Sequence, residues 1–176
     1  MKQTLLLILV IAAVTAAFAQ APPSPAATAS VTINGKAISI KYSAPSVRGR
    51  QIFGDGGQLS KDPTYPVWRA GANAATALHT DADLDIAGLR VPKGDYTLYA
   101  LVKDPEKWQL IVNKQTGQSG MTYDQTQDLG RVPMTMSKPP APIETYKITL
   151  ADAGGGKGKL QLEWDKYIAS VPITVK

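Results

Sequence analysis

Apolar and polar residues alternate along most of this chain, and alternation with period two is the signature of a strand with one buried and one wet face. Val31-Thr32-Ile33 runs into Asn34-Gly35, and Ile38, Ile40 and Tyr42 resume the pattern beyond it. An Asn-Gly pair between alternating segments predicts two strands joined by a tight turn. Tyr146, Ile148 and Leu150 alternate in the same way, as do Leu160, Leu162 and Trp164 against Gln161, Glu163 and Asp165. The glycine-rich stretch 153–158 between them predicts a second hairpin.

From Tyr96 to Val102 both alternating faces are apolar, which predicts a central strand covered on both sides. Turn-forming residues bracket it, and Trp108, Leu110 and Val112 mark the next strand. Ala169, Val171, Ile173 and Val175 form a last strand, which Pro172 assigns to a sheet edge. Only Ala70 to Leu78 offers a short helix, and Gly71 and Asn73 weaken it. The polar stretch 114–142 is too long for an ordinary connection and is expected to be irregular apart from a strand near Arg131 to Met136. Short, mainly antiparallel strands with little helix predict an all-β domain, a β-sandwich or jelly roll.

The first residues stand outside this pattern. Lys2, an apolar run from Leu5 to Val14, and Ala17-Phe18-Ala19 follow the order of a signal peptide, with cleavage expected after Ala19. The run falls short of the about 20 apolar residues that a spanning helix needs, so no stable membrane span is expected once the leader is removed. Residues 20–30, rich in Pro, Ala and Ser, read as a flexible spacer, and a single domain is expected over 31–176. The sequence contains no cysteine, which removes disulfides and a lipid-modified cysteine alike. The expected location is the periplasm or the extracellular space, with the domain held by its core alone.

Charge narrows the partners. Nineteen Lys and Arg oppose 14 Asp and Glu, a formal net charge of +5 from which Lys2 would leave with the leader. The bases are scattered among acids, so nucleic acid is not an expected partner. His79, Asp81, Asp83 and Asp85 lie at strand spacing, but Ile86 and Pro92 stand where a calcium loop needs Gly and Glu, so the four read as the solvated face of an amphipathic strand. No metal and no cofactor is expected. Gly154-Gly155-Gly156-Lys157 lacks the Ser or Thr and the following helix of a phosphate loop and reads as a turn. No Gly-x-Ser-x-Gly presents a serine nucleophile, and Glu163 and Asp165 sit on the wet face of an ordinary strand, which leaves Glu144 without a catalytic partner.

Two segments remain that strand packing does not explain: Ser46-Val47-Arg48-Gly49-Arg50-Gln51-Ile52-Phe53-Gly54 and Val67-Trp68-Arg69-Ala70-Gly71-Ala72-Asn73. Pro45, Arg48, Gly49, Arg50, Phe53, Gly54, Trp68, Arg69, Gly71 and Asn73, with Val91 to Leu98 and Trp108 to Lys114, resemble the exported bacterial family called domain of unknown function 2911. The likeness runs from about Val31 to Val175. Lys93 stands where that family more often has Ala, and Ala74 where an acid is common, which removes one candidate carboxylate. The resemblance implies no activity.

Guanidinium forks at Arg48, Arg50 and Arg69, the amide of Asn73 and the indole of Trp68 are the parts of a site for a small anionic or carbohydrate ligand. The first reading is therefore a binding module for such a ligand or for an envelope partner. A hydrolase-like enzyme is the alternative, and would need an acid or base among Asp55, Asp62, Tyr65 and His79. A purely structural protein is the third reading, in which the Arg and Trp side chains satisfy each other internally. The sequence does not specify an oligomeric state.

Overall fold

The computed structural model describes residues 24–176, which fold into two antiparallel sheets packed face to face. Residues 1–19 and the start of the expected spacer lie outside the described residues. In chain order the strands are β1 (Ala26–Ile33), β2 (Lys36–Ser43), β3 (Val67–Trp68), β4 (Thr76–Thr80), β5 (Leu84–Ile86), β6 (Leu89–Val91) and β7 (Gly94–Leu101). They continue with β8 (Gln109–Asn113), β9 (Asp128–Pro133), β10 (Thr135–Ser137), β11 (Ile143–Gly154), β12 (Lys157–Asp165) and β13 (Tyr167–Val175). The first sheet runs β1-β2-β4-β7-β8-β9 with β3 beside β7, and the second runs β11-β12-β13-β5-β6 with β10 beside β13. Helical structure among the described residues is confined to two single 3-10 turns, Leu59–Lys61 and Gln125–Gln127. The protein is thus an all-β sandwich.

Both predicted hairpins form. Asn34 and Gly35 take positive φ of 48° and 72°, the conformation of a two-residue turn matched to strand twist, and set Ile33 opposite Lys36. Gly154, Gly155 and Gly156 turn β11 into β12. β7 is central, between β4 and β8, and buried on both faces. Its Leu98 and Ala100 point into the sandwich with Leu110 and Val112 of β8, facing Leu160, Leu162, Trp164, Val171 and Ile173 of the second sheet. On its outer face Tyr99 packs with Ile111 and Val67 under Tyr123, whose ring centroid lies 5.0 Å away. That cover comes from the 114–127 loop, stitched down where Tyr99 Oη donates to the Thr122 carbonyl at 2.8 Å and Asn113 Nδ2 to that of Asp124 at 2.9 Å.

Four expectations are revised. The first strand starts at Ala26, not Val31, because Ala26 to Ser30 pair with Ser39 to Ser43, so the end of the expected spacer is strand. Ala70 to Leu78 forms no helix: Thr76 and Leu78 bury their side chains in β4, and the residues before them loop out of the sheet. Pro172 does not mark an edge. β13 has β12 along one flank, while β10 pairs with residues 168–170 and β5 with residues 173–175 along the other. Pro172 falls in the gap between these two short strands, where its missing N–H is not needed, and its carbonyl accepts from Ala87 N at 3.1 Å. The 114–142 stretch carries two strands, β9 and β10, where one was expected.

A cation-lined cavity at one end of the sandwich

β3 and β4 lie along the same flank of β7, with Trp68 opposite Ala100 and Thr76 opposite Leu98. Residues 69–75 are therefore an excursion from one interrupted strand position. Two of the turning residues, Ala70 and Asn73, hold positive φ of 49° and 59°. The excursion meets the long connection from Ala44 to Pro66, which is fixed at both ends of its Arg-Gly-Arg stretch. Upstream, Val47 N donates to the Glu144 carbonyl and Arg48 N to Glu144 Oε1, each at 2.8 Å. Downstream, Ile52 and Phe53 plug into the core, where Phe53 contacts Trp68, Trp108, Trp164 and Tyr167 at centroid distances between 4.9 and 6.2 Å.

Between the two segments lies a cavity of about 340 Å³, and Arg48, Arg50, Trp68, Arg69 and Asn73 all line it. Their roles differ. Trp68 is 2 % exposed; its ring stacks on Trp164, and its Nε1 donates to the Gly71 carbonyl at 2.9 Å. It is the floor, and offers no open ring face. Arg69 forms an ion pair with Asp62 Oδ2, and both side chains are largely buried. Its Nη1 reaches the Asn73 carbonyl at 3.4 Å, while Asp62 Oδ1 accepts from Thr64 N and Oγ1 at 3.2 and 2.9 Å. Arg69 is thereby a clamp between the two loops.

Arg50 folds back on its own loop, with Nε 3.0 Å from the Val47 carbonyl and Nη2 2.6 Å from that of Ser46. Those carbonyls carry no net charge, so the guanidinium charge stands uncompensated. The Arg48 side chain is exposed and has no carboxylate partner among the described residues, and the same holds for Lys61, a lining residue that the sequence reading missed. Asn73 Nδ2 approaches the Ser24 carbonyl at 3.4 Å. The cavity thus has four cations and one carboxylate, and that carboxylate is already paired. Electrostatically it suits an anion.

Gln58, Leu59 and Met121 also reach the cavity without having been foreseen. Leu59 and Lys61 belong to a single 3-10 turn inside a long loop, and Met121 lies about sixty residues further on, so no local pattern signals them. The other candidates lie apart. His79 sits on β4 beside Asp95 and Asp81, at 2.8 and 3.1 Å. Asp83 accepts from Lys93 N and Arg90, and Asp85 from Gly88 N. The expected four-residue face does not exist, because the chain leaves the first sheet after Thr80 and enters the second at Leu84. No cluster suited to a metal ion occurs among the described residues. Glu163 bonds Thr149 Oγ1 at 2.7 Å and Lys147 at 3.3 Å, and Glu144 holds the Arg48 backbone, so neither faces the other as a catalytic pair.

No helix among the described residues is long and apolar enough to cross a membrane. The model of the family described as "Protein of unknown function (DUF2911)" matches residues 24–173. No curated protein and no solved structure matches.

Proposed function

We propose that this chain, which belongs to the DUF2911 family, is a binding module whose cavity receives a small anion. The observation that carries the reading is the convergence of Arg48, Arg50 and Lys61 on one cavity, none of them paired with a carboxylate among the described residues. Guanidinium and ammonium groups collected around a concavity bind carboxylate or phosphate, because each charge-assisted hydrogen bond is roughly twice as strong as a neutral one. A carbohydrate is the weaker choice. Sugar recognition by stacking needs an open aromatic face, and both indoles at the cavity are buried, Trp68 at 2 % and Trp164 at 3 % exposure.

Asp62 and Arg69 serve this site by holding its walls together. The hydrolase-like alternative has little to work with, since Asp62 is the one acid in the lining and both of its oxygens are engaged. The leader pattern in residues 1–19 supports export, so the ligand would be a periplasmic or extracellular anion.

Titration calorimetry with phosphate, citrate and succinate tests the reading on the wild type and on an Arg48→Ala, Lys61→Ala double variant. Saturable binding that weakens about tenfold or more in the variant, with an unchanged melting temperature, is the expected result. Heats that are absent, or identical in the two proteins, would rule it out.

A further inference from the structure

The cavity that collects these cations also carries, at its mouth, an apolar side chain that the fold holds in solvent. Met121 is 47 % exposed, and it is the one large hydrophobic residue so exposed among the described residues. A lone exposed apolar residue is ordinary on a protein surface. Its placement here is not left to a wandering loop tip. Met121 N donates to Ser119 Oγ at 3.2 Å, Thr122 N to the Ser119 carbonyl at 3.0 Å, and Ser119 forms a bridge to Ala74. Gly120 packs so tightly on the excursion that a Cβ there would lie 2.4 Å from the Asn73 carbonyl oxygen and 2.5 Å from Arg69 Cδ. The loop is therefore docked on the wall that bears Arg69 and Asn73, and Met121 is carried to the rim as a result. The same lining includes the apolar side chains of Leu59 and Pro45.

We infer that the anion bound in this cavity is amphiphilic: a carboxylate or phosphate head held by Arg48, Arg50 and Lys61, and a short apolar group lying against Met121. This rests on the anion-binding reading above. A thioether side chain suits the second role, because methionine is flexible and polarizable and adapts to apolar ligands of varied shape. The volume of about 340 Å³ is near the lower end of the range for small-molecule sites, so the apolar group is a short chain or single ring.

A series of straight-chain acids isolates the claim. Acetate, butyrate, hexanoate and octanoate are titrated into the full chain by calorimetry, with inorganic phosphate and 1-hexanol as probes of head and tail alone. Each methylene withdrawn from water strengthens binding by up to about fourfold, so hexanoate is expected to bind at least about tenfold tighter than acetate, and 1-hexanol far more weakly than hexanoate. Met121→Ser should flatten the dependence on chain length while leaving acetate affinity unchanged, and Met121→Leu should keep it. If acetate or phosphate binds as tightly as hexanoate, or if Met121→Ser keeps the same dependence, the amphiphile is wrong and the anion site stands. If no member of the series binds and phosphate gives no heat, the anion reading falls with it.

Discussion

The indoles of Trp68 and Trp164 lie almost parallel, with centroids 5.6 Å apart and 22° between their planes, and they come from opposite sheets. This contact joins the floor of the cavity to the centre of the sandwich. Removing Trp164 should therefore act on the whole fold. Trp164→Ala is expected to cost about 3–5 kcal/mol in urea denaturation with an unchanged m-value. A loss below about 1 kcal/mol would place the indole outside the core.

The ion pair of Arg69 and Asp62 should behave as a structural clamp. Arg69→Lys keeps the charge but loses the planar fork that spans Asp62 and the Asn73 carbonyl, so stability should fall by about 1–3 kcal/mol. Asp62→Asn leaves a largely buried guanidinium without its counter-charge and should cost at least as much. Calorimetric melting of both variants checks this, and a melting temperature equal to the wild type for either would show that the clamp carries no stability.

Asn73 separates side-chain from backbone requirements. Its φ of 59° is left-handed, a region that glycine enters freely and alanine does not. Asn73→Gly and Asn73→Ala both remove the amide, yet the alanine variant is expected to be less stable by about 1 kcal/mol. Equal stabilities would mean that the excursion rearranges when the side chain is lost.

His79 is the sole histidine, so its titration can be followed by NMR without ambiguity. Hydrogen bonds to Asp95 first, and then to Asp81, raise its pKa above 6.5. A group whose pKa is higher folded than unfolded adds stability that is complete below the unfolded value and disappears as pH rises through the folded one. His79→Gln should accordingly lose a little stability relative to wild type near pH 5 and nothing near pH 9, the charge change lying between these rough bounds. A midpoint below 6.5, or a difference that grows with pH, would contradict the geometry.

Strand positions were legible wherever the pairing partner lay close in sequence or the pattern was strong, as with β7, β8 and the two hairpins. Ala26 to Ser30 were not, because small residues carry no alternation of their own; it is Ser39 to Ser43 across the ladder that make them a strand. Ala70 to Leu78 misled for a related reason. Its alanines favour a helix locally, but β7 offers Thr76 and Leu78 a ladder and a buried face, and tertiary pairing overrides propensity. At the site, the clustered Arg, Trp and Asn residues come from two segments that the fold brings to one cavity. What they could not reveal is the division of labour among them, since the burial of Trp68 and the pairing of Arg69 depend on Trp164 and Asp62. Lys61 and Met121 become neighbours of the motif only after folding.

The second sheet draws β5 and β6 from the middle of the chain and pairs them with β13, setting Ile173 against Ile86 and Val175 against Leu84. The first sheet needs no such late arrival, because β4, β7 and β8 are near one another in sequence. A growing chain can assemble that half from what has already emerged, whereas the flank of β5 from Leu84 to Ile86 stays unpaired until residues 173–175 reach it. Long-range closures of this kind are slow because chain entropy is lost before contacts repay it. A nascent chain stalled just short of β13 is then a half-finished molecule with unpaired strand flanks at β5 and β12, edges of the kind that template pairing with other chains.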